Sequence, residues 1–287
     1  IEENCTMRVS LCTITFRHHL TSLDEIAAWA EANDFQGIEL WGAHARNLAP
    51  RSDRNADWLD GYGLAVPMIS DYLPLDGEVE TLRHKAVELC RLARRWRTRK
   101  VRTFAGSVGS LAASAEERQR VVARLKEICV ITASYGIHLL AETHPKTLAD
   151  IAASTMQLIE EVDHPYFAIN FDTLHVWEGG DDPVAVHRTM KPHIRHYHLK
   201  NIVARSDLSV FEPANVYAAA GSRRGMTPLF EGIVDYDRIL AEISGDPQAE
   251  ASLEWFGNDC LETLGRDRRR VRQSIESRER PLRTAQI

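Results

Sequence analysis

The sequence predicts an α/β protein of the (β/α)8 TIM-barrel class, and three observations carry that prediction. Eight short apolar, β-branched runs alternate with longer segments of helical periodicity, an order that implies parallel pairing because each strand regains the sheet through a helix. The 287 residues are close to the ~250 that eight such units occupy. No long Pro/Gly/Ser-rich linker interrupts the alternation. A single domain over 1–287 is therefore expected, with the barrel over about 8–278 and the opening IEENCT (1–6) as an N-terminal extension. A doubly wound open sheet is the alternative, and the count of eight favours the barrel.

The runs follow in order. RVSLCTITF from Arg8 opens the chain, and SLDEIAAWAEAN follows as a helix, entered through a Ser22–Glu25 capping box and stopped before Asp34. GIELWG from Gly37, LAVPMIS from Leu64 and KVRTFAG from Lys100 are the next three strands. EERQRVVARLKEICVITASYG reads as a helix that ends at Gly136, where a residue free to take positive φ is favoured. IHLLAETH from Ile137, FAINFDTLH from Phe167, IRHYHLKN from Ile194 and ASLEWF from Ala251 complete the set. Between the last two, residues 202–234 form the longest irregular stretch, which at that length is expected to be a functional loop over the site.

Composition bounds the function. With 44% hydrophobic and 26% charged residues the chain is globular, no stretch approaches the ~20 apolar residues of a membrane span, and no signal-peptide pattern opens it, so a cytoplasmic protein is expected. The five cysteines are scattered without a C-x-x-C pair and read as buried thiols rather than a disulfide framework or zinc knot. Net charge is −6, yet residues 262–283 carry eight Arg against four acids. The spacing of Leu264, Val271 and Ile275 makes this tail a terminal helix with a solvated basic face rather than a nucleic-acid arm.

Barrel enzymes place their chemistry at the C-terminal ends of the strands. Those ends hold Glu142 and His144, Asp172 and His175, His196, His198 and Lys200, and Glu254. One such carboxylate alone is more often solvated or paired with an arginine. Glu142, Asp172, His198 and Glu254 together make a mixed oxygen and nitrogen set with three negative charges, which suits a divalent ion: Mg²⁺ or Mn²⁺ first, with Zn²⁺ or Co²⁺ compatible. His175 could ligate a second metal, bond substrate or support the site. His196, on the same face one residue pair deeper, reads as a hydrogen-bonded core histidine. Lys200 at a buried tip must face an anion or lose its proton. Arg102, Tyr72, His44 and Tyr217 supply further cations and polar groups, and for Arg102 pairing with a neighbouring carboxylate competes with substrate binding.

The blocks SLCTITFRHHL, GIELWGAHARNL, ISDYL, VRTFAG, LLAETHP, HVWE, HYHLKN, FEPANVYAAAG, PLFEGIVDYD and ASLEWFG resemble the metal-dependent 3-dehydroshikimate dehydratases of the xylose-isomerase-like barrel superfamily, of the type that serves petrobactin-like catecholate siderophores. The resemblance runs from about Ser10 to Gly257. It implies a hydro-lyase that converts 3-dehydroshikimate to protocatechuate for siderophore assembly or aromatic catabolism, with Glu142, Asp172, His198 and Glu254 on the metal and His144 as general base. It also implies that Tyr72, Arg102, His175, Lys200 and Tyr217 contact substrate; the departing hydroxyl needs a proton, from the His144 imidazolium or from a neighbour such as Lys200. A small molecule is thus the expected partner, with no nucleic acid or membrane, and a homodimer is left open. A keto-sugar isomerase or epimerase and an endonuclease IV-like repair enzyme are the rival readings, since both use related ligand sets on the same fold.

Overall fold

The computed structural model describes residues 7–284, so the N-terminal extension and Cys5 lie outside the described residues. Eight parallel strands close into a barrel: β1 (Arg8–Cys12), β2 (Gly37–Trp41), β3 (Ile69–Ser70), β4 (Lys100–Thr103), β5 (His138–Glu142), β6 (Phe167–Asp172), β7 (Ile194–Leu199) and, after a two-stranded excursion of β8 (Asn201–Ile202) and β9 (Met226–Thr227), β10 (Glu250–Leu253). Around the barrel the order is β1, β10, β7, β6, β5, β4, β3, β2, so the first and last strands seal it.

The strands keep the expected positions but are shorter than the apolar runs. TITF leaves the ladder as a 3-10 turn over Thr13–Phe16. In LAVPMIS only Ile69 and Ser70 pair, because Pro67 has no N–H to donate; Ala65 retains an isolated bridge to Gly37. The Ser22 capping box forms as read, with Ser22 Oγ accepting from Glu25 N at 3.2 Å and Glu25 Oε2 accepting from Ser22 N at 2.7 Å. The helix Ala115–Ser134 is followed by Gly136 at φ +70°.

Two kinds of interior result. Outward-facing strand residues such as Leu11, Ile38, Leu40, Val101, Leu139, Ile169, Phe171, Leu199 and Leu253 pack under the helices in one continuous apolar core. Inside the barrel the apolar filling is a small plug of Met68, Leu140 and Ala168. The rest of the lumen is lined with polar side chains, including Glu39, Asn170, His196, His198 and Ser252, all at 0% exposure. Each buried polar group costs free energy unless it is hydrogen-bonded; Glu39, His196, His198 and Ser252 bond one another, whereas both amide atoms of Asn170 have no hydrogen-bond partner.

The stretch 202–234 is built rather than structureless. Asn201 staples it: its Nδ2 donates to Leu229 O (2.7 Å) and Val234 O (2.9 Å), and its Oδ1 accepts from Val234 N (3.1 Å). A 3-10 segment over Arg205–Phe211 and a short helix over Pro213–Val216 then lean over the mouth of the barrel. The terminal helix Cys260–Thr284 buries Leu264, Val271 and Ile275 as their spacing requires. Its basic face is not wholly solvated. Arg268 is buried with Nε on Asp34 O (2.9 Å), Arg272 pairs with Asp34 Oδ2 (2.7 Å), and Arg270 lies 5.1 Å over the Phe230 ring. Asp34, held at φ +58° just after the first helix, turns its carbonyl and carboxylate toward these arginines, a pairing no local pattern announces. The four described cysteines are free and buried.

Candidate active site

Glu142 ends β5, Asp172 ends β6, His198 lies on β7 and Glu254 follows β10. Barrel closure brings one ligand atom of each to within 4.8 Å of the other three, and all four residues are buried. His198 Nδ1 lies 3.5 Å from Glu142 Oε1 and 3.4 Å from Glu254 Oε1, with no hydrogen-bond partner of its own. Burial lowers the His198 pKa, but Glu254, Glu39 and Glu142 together drive it well above the ordinary imidazole value. A nitrogen among carboxylates at those distances is a place for a cation. The donor set of three carboxylate oxygens and one imidazole therefore fits a divalent metal.

Two side-chain cations share the space. Lys200 Nζ bonds Asp172 Oδ2 and, at 2.7 Å, Glu254 Oε2. Burial opposes its charge, yet Asp172, Glu254 and Glu142 raise its pKa, so the amine faces anions and keeps its proton. Arg102 Nε sits 2.8 Å from Glu142 Oε2, and its guanidinium lies 5.1 Å from the rings of both Tyr72 and Phe104. Pairing with a carboxylate thus accounts for Arg102, while its outer edge still lines the cavity. Burial raises the Glu142 pKa, but Arg102, His198 and Lys200 outweigh it and hold the group well below the usual carboxylate range.

His144 shares this cavity with Tyr72, Arg102, Glu142, His175, Lys200, Tyr217 and Glu254. Its Nδ1 is 2.8 Å from Pro145 O. A carbonyl only accepts, so Nδ1 carries the hydrogen and Nε2 presents a lone pair. Burial first, and the neighbouring His175 second, push its pKa down to about 3, which keeps the ring neutral. Phe104 and His175 pin it, with ring centroids at 4.1 and 4.5 Å. His175 is itself oriented by Glu178 Oε2 at 2.7 Å from its Nδ1. Tyr72 and Tyr217 meet edge to face at 6.4 Å, and Tyr217 stacks on Trp41 at 5.9 Å. His44 packs against Trp41 and opens to a separate groove with Arg17 and Leu48.

His196 is the bonded core histidine its position implied, with Nε2 2.8 Å from Ser252 Oγ. Missed in the sequence were the apolar walls Phe104, Phe211 and Phe256, and above all Glu39. The last had a readable signal, a carboxylate in the middle of the apolar strand GIELW, where a solvated reading is not available. It lies one layer below the metal set, on His196 and His198.

The fold and this ligand set define a class. Residues 27–280 match the model of the xylose isomerase-like TIM barrel family, and the chain belongs to that family. Within it, the chain is 48% identical over 264 residues to 3-dehydroshikimate dehydratase of Bacillus anthracis, covering 90% of this chain and 94% of that one. The crystal structure of the probable 3-DHS dehydratase AsbF involved in petrobactin synthesis, also from Bacillus anthracis, superposes with a TM-score of 0.89 at 47% identity over 92% of this chain and 98% of that one. The IolI protein with a bound zinc atom shares the fold, with a TM-score of 0.72 at 14% identity over 93% and 96% of the two chains.

Proposed function

We propose that this chain dehydrates 3-dehydroshikimate to protocatechuate, using a divalent metal held by Glu142, Asp172, His198 and Glu254, with Mg²⁺ or Mn²⁺ best matched to three hard oxygens and one nitrogen. One observation carries the reading: in a chain 48% identical to a 3-dehydroshikimate dehydratase, a neutral, half-buried imidazole whose Nδ1 is held by Pro145 O lines the same cavity as Glu142 and Glu254 of the metal set. When bound, the metal supplies Lewis acidity at the substrate's ketone and so acidifies the neighbouring C–H.

His144 Nε2 takes the C4 proton beside the C3 ketone. A ring whose pKa lies near 3 is a weak base, so the transfer depends on negative charge that develops on the substrate oxygens being met by the fixed Lys200 ammonium, to which a bound metal would add its own charge. The same low value makes the imidazolium, once formed, a strong acid. It is therefore a better donor to the departing C5 hydroxyl than Lys200, whose carboxylate neighbours hold its proton tightly. Loss of C5–OH as water and of a C6 proton to the ketone oxygen yields the aromatic ring, with one water released per substrate. Arg102, Tyr72 and Tyr217 form the polar wall against which the substrate carboxylate is placed, and Phe104, Phe211 and Phe256 exclude water from the ring. His175 backs His144. Synthesis of protocatechuate for a petrobactin-type siderophore is the role the relatives suggest, and keto-sugar isomerisation and DNA repair are not favoured.

The test mixes metal-stripped protein with 3-dehydroshikimate and follows the near-ultraviolet absorption of protocatechuate before and after Mg²⁺ or Mn²⁺ is added. Product that appears only with metal is the expected result. A folded protein that gives none with any divalent ion would refute the proposal.

A further inference from the structure

Inside the barrel a chain of hydrogen bonds runs from its N-terminal mouth to the metal set, and each member's chemistry gives it one direction. Lys100, at the start of β4, bonds Glu250 and places Nζ 3.4 Å from His196 Nδ1. An ammonium only donates, so His196 Nδ1 must accept and its hydrogen must sit on Nε2. That nitrogen lies 2.8 Å from Ser252 Oγ and 3.2 Å from Glu39 Oε2. The Glu39 carboxylate, fully buried, faces donors on every side: His196 Nε2, His198 Nε2 at 3.0 Å from both oxygens, Ser70 Oγ and the Cys12 thiol at 3.7 Å. A carboxylate only accepts, so His198 carries a hydrogen on Nε2, which leaves Nδ1, between Glu142 and Glu254, as the nitrogen that would give up its proton to a metal.

We propose that Glu39, backed by His196 and Lys100, is a positioning residue that locks His198 in the metal-binding tautomer and so sets metal affinity from within the barrel. The inference rests on the metal-binding reading above and adds to it three residues that touch neither metal nor substrate. Carboxylates that orient ligand histidines commonly account for 10- to 100-fold in metal affinity. Lys100, two bonded groups further away, has a smaller share. Without its donor, His196 can switch to the tautomer that carries its hydrogen on Nδ1 and present a lone pair to Glu39, which weakens the clamp.

Mn²⁺ titration calorimetry on the full chain tests this, alongside ¹H–¹⁵N spectra of the imidazoles in the Mg²⁺-loaded wild-type protein. Glu39→Gln is expected to weaken Mn²⁺ binding 10- to 100-fold. Lys100→Met should weaken it several-fold, with Lys100→Arg restoring it because the donor returns. Glu250→Gln, which alters the same outer pair but leaves the Lys100 to His196 contact, should bind as wild type, whereas a general loss of stability would lower both. The loaded wild-type spectrum should show His198 protonated at Nε2 alone, a readout that stands even if Glu39→Gln fails to fold. Protonation at Nδ1, or a folded Glu39→Gln that binds Mn²⁺ like wild type, would overturn the relay. Wild-type protein that binds no Mn²⁺ at all would instead refute the metal reading beneath it.

Discussion

Replacing Lys200 with Met tests how the site balances charge. The stem is isosteric and keeps its packing near Phe211 and Phe256, whose rings lie 5.9 and 5.8 Å from Nζ, so the change removes little but the ammonium. That ammonium is 5% exposed as part of its residue and is bonded to both Asp172 and Glu254. Removing one partner of a buried ion pair costs about 3–5 kcal/mol, because the carboxylates stay buried and lose their counter-charge. At ~2.1 cal/mol/K per residue, a chain of this size unfolds with an entropy of roughly 0.6 kcal/mol/K, so the metal-free variant should melt about 5–8 °C below wild type. A divalent ion on Glu142, Asp172, His198 and Glu254 returns charge to the same two carboxylates. Saturating Mg²⁺ should therefore narrow the gap, and the rise in melting temperature on adding metal should be larger in Lys200→Met than in wild type. Differential scanning fluorimetry at pH 8, where the carboxylates are ionised, reads both numbers. A deficit of the same size with and without metal would show that the lysine and the ion do not act on one charge cluster.

Two further outcomes are expected. His144→Ala should lose roughly 10²- to 10⁴-fold in kcat while Mn²⁺ affinity by calorimetry is unchanged, and near wild-type turnover would remove His144 as the base. Asp267, on the terminal helix, is pushed up to about 7 by burial, while its Oδ1 accepts from Leu229 N at 3.0 Å. Since the folded value exceeds the unfolded one near 3.9, its contribution is present below about pH 4 and is lost as pH rises through about 7. Asp267→Asn keeps the acceptor without the charge, so it should stabilise the protein by roughly 2–4 kcal/mol at pH 8 and by much less at pH 5, and equal melting shifts at the two pH values would contradict the assignment.

The amino-acid order alone determined the alternation of eight apolar runs with helical segments, the capping box at Ser22 and the carboxylates and imidazoles at the strand tips, because these depend on periodicities of two and 3.6 residues and on local capping chemistry. It placed Glu142 and His144 two positions apart at the end of one apolar run, although the paired strand stops at Glu142 and His144 lies just beyond it. Tertiary structure decided what those groups face. The convergence of Glu142, Asp172, His198 and Glu254 depends on strand stagger around a closed barrel, which sets contacts between residues up to 112 positions apart. The pairing of Arg102 with Glu142, the capture of Arg268 by Asp34 and the tautomers of His144 and His198 follow from individual atoms across the fold. Glu39 shows the divide most clearly: its presence in an apolar strand could be read from GIELW, but its role exists only because β2 places it under a histidine of β7, 159 residues later in the chain.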